Sequence, residues 1–162
     1  MTARVGPDAE ADRAAVAALV RTFFAAFASG PDLDDRVAAL RAAFLPGAIV
    51  VRTCGTEPVG YDVDAFLEPR RALLAGEIAW QTVARFREWE LTGRTDVFGD
   101  VAQHFCSYAK EWVEDGVRVT GRGMKTLQFV RTAAGWRISA GAWDDERPGL
   151  VLDPAGDADA SA

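Results

Sequence analysis

Histidine is nearly absent from this chain, with His104 the single example among 162 residues. Cysteine is almost as scarce: Cys54 and Cys106 are the only two, and neither stands in a CxxC pair. Zinc centres gather several Cys and His ligands at short spacings, so the sequence predicts no metal site, and no disulfide framework. Lysine is rare too. Sixteen of the 18 basic residues are Arg and only Lys110 and Lys125 are Lys. No dense basic block occurs and the net charge is −6, which argues against a nucleic-acid partner. No apolar run reaches the roughly 18 residues of a membrane span. The stretch Met1 to Glu10 lacks the apolar core of a signal peptide, so a cytoplasmic protein is expected. Gly121-Arg-Gly123 falls inside a strand pattern and not before a helix, so it is no phosphate loop. No cofactor is expected.

What is present is enough apolar sequence (49%) to build the core of one domain. Val16, Leu19, Val20, Phe23, Phe24 and Phe27 recur at spacings of three and four, which predicts a helix over 15–28 with Asp8 or Asp12 as its cap. Gly30-Pro31 stops it. A second helix, capped by Asp32 or Asp34, carries Val37, Leu40 and Phe44 and is expected to end at Pro46-Gly47. A short strand spans 48–52, a loop 54–60, and Asp62 caps a third helix through Leu74, with Pro69 inside it.

Beyond Gly76 the period changes from 3.6 to 2. Strands are predicted over 84–92, 101–112, 117–132 and 136–144, with turns at 95–100, Glu114-Asp115-Gly116 and Ala134-Gly135. Helices followed by a meander indicate an α+β fold with helices on one sheet face. Residues 1–8 read as a flexible lead-in, 9–147 as the domain, and the acidic small-residue stretch 148–162 as a disordered tail. On the strand 101–112 both parities are partly apolar, so the second sheet face is expected to be covered, by a twin sheet in a homodimer or by loops.

The segments Phe98 to Tyr108, Gly121 to Phe129 (with Lys125 and Thr126 where related chains tend to carry Asn and Ser), and Gly135 to Ser139 followed by Trp143 to Glu146 resemble strands of the nuclear transport factor 2-like (NTF2-like) superfamily, its SnoaL-like domains in particular. The similarity covers about residues 10–147 and is strongest over 84–147. The resemblance implies a conical α+β fold, about three helices on a curved antiparallel sheet, with an apolar pocket between them and dimerisation through the sheet. Such domains include isomerases, cyclases, dehydratases and non-catalytic association domains, and fold alone does not choose among them.

Several residues can carry chemistry. His104 is either a general base inside the cone or a satisfied core residue. Asp144, within Asp144-Asp145-Glu146, is either an acid or base at the pocket mouth or one half of an ion pair with Arg147. Tyr61 and Tyr108 can donate to a developing oxyanion. Trp89 and Trp143 can wall a pocket for a flat apolar ligand, and Cys106 can line it or lie inert in the core. Two functions follow: a cofactor-free pocket protein that binds a compact, partly apolar molecule and can transfer its protons, or an association domain whose cone is filled.

Overall fold

The computed structural model describes residues 8–81 and 83–153. Helix α1 (Ala9–Ala25) is followed by α2 (Leu33–Ala43), strand β1 (Phe44–Arg52), the short β2 (Val59–Tyr61) and α3 (Val63–Leu74). Four long strands complete the chain: β3 (Val83–Phe98), β4 (Val101–Glu114), β5 (Val117–Thr132) and β6 (Gly135–Asp145). All six strands form one curved sheet in the order β2-β1-β6-β5-β4-β3, with the helices packed on one of its faces.

The apolar stripe of α1 is buried as its spacing requires: Val16, Val20, Phe23 and Phe24 lie in the core, with Phe27 just beyond the helix end. Phe66 of α3 is the hub of an aromatic cluster, with Phe23, Phe27, Phe44 and Trp143 all within 6.4 Å between ring centroids. Asp62 caps α3 by accepting from the Ala65 N–H at 2.8 Å. Asp12 caps nothing. It lies inside α1 and accepts two hydrogen bonds from Arg131 (2.8 and 2.7 Å) and one from Trp136 Nε1 (3.1 Å), tying the helix to β5 and β6. The Arg131 guanidinium first, and then the indole N–H, hold its carboxyl below the usual carboxylate range.

Several expectations need correction. The helix α2 ends before Phe44, and Pro46-Gly47 sits inside β1, where the register shifts between Phe44 and Ile49. Part of the predicted 54–60 loop is strand β2. Strand β3 continues through the predicted turn to Phe98, leaving Gly99-Asp100 as the reversal, with Gly99 at φ +57°. The sheet is not wholly antiparallel, because β1 runs parallel to β6. That pairing joins the two ends of the domain, with α3 and the meander between them, and no local pattern encodes it. Bulges in β3 and between β5 and β6 add curvature.

Past the expected domain boundary, Arg147 and Leu150 exchange backbone hydrogen bonds and the Leu152 N–H donates to Glu146. The rest of the expected tail, 154–162, and most of the expected lead-in, 1–7, lie outside the described residues.

Candidate functional site

Strand parity decides which side chains enter the cone. On β4 the even positions Ala102, His104, Cys106 and Tyr108 are buried against the helices, while Val101, Gln103 and Phe105 face outward. The same inward face continues to Lys110 and Trp112, and its neighbours across the ladder are Lys125 on β5 and Trp143 and Asp145 on β6.

Lys110, Trp112, Lys125, Trp143 and Asp145 line a cavity of about 540 Å³ between α1, α3 and the sheet. Its apolar wall is built from Phe23, Phe27, Phe66, Phe86, Trp112 and Trp143. Its polar wall carries Asp145, Lys110, Lys125, Glu88, Arg52 and Arg70. Asp145 accepts a hydrogen bond from the Tyr108 hydroxyl and one from Lys110 Nζ, the latter at 2.9 Å. Lys125 is paired with Glu88, both side chains 8% exposed, and its ammonium lies 3.9 Å from the centroid of the Tyr108 ring. A continuous chain of ion pairs, a cation–π contact and a hydrogen bond therefore runs Glu88–Lys125–Tyr108–Asp145–Lys110.

The electrostatics assign protonation states. Burial raises the Asp145 pKa, but the bonds from Tyr108 and Lys110 outweigh it and leave the carboxyl below its usual range. Asp145 is thus ionised at neutral pH. Burial first, and then the Asp145 carboxylate, push the Tyr108 phenol far upward, so it stays a donor. The phenol reaches Asp145 because residue 123 has no side chain. A Cβ at Gly123 would stand 2.3 Å from the Asp144 carbonyl oxygen and 2.6 Å from the Tyr108 hydroxyl.

The residues singled out from the sequence divide into three groups. Trp143 lines the cavity and Tyr108 reaches it through Asp145, while Tyr61 lies just behind, its ring 5.5 Å from the Arg70 guanidinium. His104 and Cys106 face inward but deeper than the cavity. His104 Nδ1 bonds Thr95 Oγ1 at 2.7 Å and Nε2 bonds Glu90 at 3.2 Å. Burial, with Glu90 nearby, pushes the Cys106 thiol up to about 12, which keeps it a thiol at neutral pH. One ligand atom each from Glu90, His104 and Cys106 lies within 4.8 Å of the others. Within that group the partner of His104 Nε2 is Glu90 itself, while Nδ1 is held by Thr95. Asp144 and Trp89 point the other way. Asp144 pairs with Arg147 at 2.6 Å, which lowers its pKa, and Trp89 stacks under Arg87 on the outer face. Of the two adjacent aspartates, the one at the cavity is therefore Asp145, one residue on from the sequence candidate.

Lys110, Lys125, Glu88, Arg52 and Arg70 were not singled out. One signal was available for two of them: the only lysines in an arginine-rich chain both face this cavity.

No family model and no curated protein matches the chain. Solved structures do. An NTF2-like protein with a cystatin-like fold from Novosphingobium aromaticivorans superposes with a TM-score of 0.63 at 19% identity, over 92% of this chain and 88% of that one. This chain has the NTF2-like fold. Two other solved structures superpose as well. One is a hexachlorocyclohexane dehydrochlorinase, LinA type 2 (TM-score 0.67, 13% identity, 92% and 97% coverage). The other is a candidate dehydratase of the NTF2-like family from Streptomyces avermitilis (TM-score 0.63, 16% identity, 85% and 97% coverage). The NTF2-like cone here is thus the expected α+β fold, three helices on a six-stranded, mostly antiparallel sheet. Among the described residues, no helix is long and apolar enough to cross a membrane.

Proposed function

We propose that this protein binds a small, partly apolar molecule in its cone and transfers a proton within it, in a cofactor-independent isomerase-, cyclase- or dehydratase-type reaction. The carrying observation is an ionised, half-buried Asp145 on the wall of an aromatic cavity, held by Tyr108 and Lys110. Asp145 is the base. Lys110 is the donor for charge that develops on a substrate oxygen, and Tyr108 holds the carboxylate in its ionised form and in place. The likeness to a dehydrochlorinase and a candidate dehydratase supports elimination-type proton abstraction as one form of this chemistry. The rival reading, an association domain with a filled cone, expects no cavity, and about 540 Å³ weighs against it.

A thermal-shift screen over steroids, aromatic polyketides, terpenoids and small aromatic acids tests the binding half. A ligand at 100 times its dissociation constant stabilises the fold by about 2.7 kcal/mol, or about 5–11 °C in a domain of this size. A flat response across all four classes would return the weight to the association domain.

The homodimer belongs to the same reading. Phe98, Val101 and Phe105 on the outer sheet face are 61%, 54% and 55% exposed, an apolar surface that a second copy would cover. Sedimentation at micromolar concentration is expected to give a dimer, and Phe105→Lys a monomer. A monomeric parent protein would rule the dimer out.

A further inference from the structure

The cations on the cavity wall are not equally occupied. Lys110 is committed to Asp145 and Lys125 to Glu88. Arg70 of α3 and Arg52 of β1 have no carboxylate within ion-pair distance among the described residues. Arg70 makes a single hydrogen bond, from Nη1 to the Phe66 carbonyl at 2.7 Å, and Arg52 only a long one to Thr56 Oγ1 at 3.4 Å. The contrast with Arg71, the next residue, is direct: its guanidinium faces outward and meets Asp34, Glu68 and Glu77. The remaining carboxylate on the cavity wall, Glu114, accepts from Trp112 Nε1. It stands six residues along β4 from Tyr108, about 20 Å away at strand rise, and so does not balance the Asp145 end.

Arg70 is also held in place. Its guanidinium carbon lies 4.3 Å from the centroid of Phe66 and 5.0 Å from that of Trp143. Arg52 pairs across the ladder with Trp143, which sets its side chain on the same face. Burial pushes the Arg70 pKa down, and the charge of nearby Arg52 acts in the same direction, against Tyr61 and Glu88. A guanidinium stays protonated in any protein, so this is a positive charge beside an aromatic wall with no carboxylate of the described residues in direct contact. An isolated charge away from water is costly, and the cost falls when an anion arrives.

Resting on the pocket reading above, we infer that the ligand is a small carboxylic acid with an aromatic or otherwise flat apolar body. It is bound as the anion, with its carboxylate on Arg70 and Arg52 and its body against Phe66 and Trp143. The planar guanidinium fork matches a carboxylate with two parallel N–H···O bonds, which a lysine cannot reproduce.

The test is a matched-pair titration of the full chain, followed by tryptophan fluorescence and calorimetry. The probes are 2-naphthoate with 2-naphthamide, and phenylacetate with phenylacetamide. Each acid is expected to bind about 10- to 100-fold tighter than its amide. The preference is expected to weaken with added salt, to fall to near unity in Arg70→Gln, to fall partly in Arg52→Gln, and to survive in reduced form in Arg70→Lys. Asp144→Asn, on the outer face, serves as the control and keeps the parent preference. Thermal melts establish that each variant is folded; if Arg70→Gln is not, Arg52→Gln and Arg70→Lys decide. Equal affinity for acid and amide in the parent, or a preference that persists in the arginine variants, overturns the inference while leaving the pocket reading intact. Binding of neither member of either pair, at concentrations up to millimolar, removes this inference, and if the thermal-shift screen is also flat it removes the pocket reading with it.

Discussion

Lys125→Met lowers the stability of the domain by about 3–5 kcal/mol, a large part of the roughly 5–15 kcal/mol that a domain has in total. The reason is geometric. Lys125 and Glu88 are both 8% exposed at the side chain, and each is the other's ion-pair partner. Removing the ammonium leaves a carboxylate buried beside the aromatic wall with its counter-charge gone. The same ammonium lies 5.4, 5.4 and 5.8 Å from the rings of Phe23, Phe24 and Phe27, so it also ties β5 to α1. Urea unfolding measures the effect as a lowered midpoint at unchanged slope. The double variant Lys125→Met/Glu88→Leu is expected to recover most of the loss, because it removes both desolvated charges together. A single variant within about 0.5 kcal/mol of the parent would mean that the pair is relieved by solvent entering the cavity.

Asp145→Asn is expected to lower kcat/KM by about 10²–10⁴ for any substrate that the ligand screen shows to be turned over. Asn keeps the shape and the acceptor oxygen but cannot take a proton. Its neighbour supplies the control: Asp144→Asn removes an equal charge one residue away, on the face that pairs with Arg147, and is expected to leave turnover unchanged. The pH profile carries a second signature. The Asp145 pKa is depressed, so the basic form is fully present at neutral pH and is lost only as pH falls through the folded value, below the usual carboxylate range near 4. The acid limb therefore lies at unusually low pH. Tyr108 adds no alkaline limb, because its phenol is held far above its ordinary value. Turnover that survives in Asp145→Asn would shift the base to another group on the wall. His104 is a poor substitute, since Thr95 and Glu90 occupy both of its ring nitrogens away from the cavity.

Much of this protein was legible in its residues one after another. The three-and-four spacing from Val16 to Phe27 determined α1 and its buried face, because 3.6 residues per turn stack those positions on one side. Asp62 marked the start of α3, Asp115-Gly116 the β4–β5 reversal, and the change of period after Gly76 the step from helices to sheet. Signals of this kind are local. They act within a few residues, so order and class of element follow from them.

The site was decided elsewhere. Both parities of β4 are partly apolar, so no pattern within it said which would meet the helices, and only the packing of α1 against the sheet put Tyr108 and Lys110 inside. Successive strand residues point to opposite faces, so the choice between Asp144 and Asp145 turned on a single step of register against β5, where Gly123 lies opposite Asp145. The parallel pairing of β1 with β6, which brings Arg52 beside Trp143, joins residues about ninety apart. Periodicity and caps determine what a segment becomes. Which side chains meet across a cavity depends on long-range pairing and burial, and no local stretch of sequence carries that information.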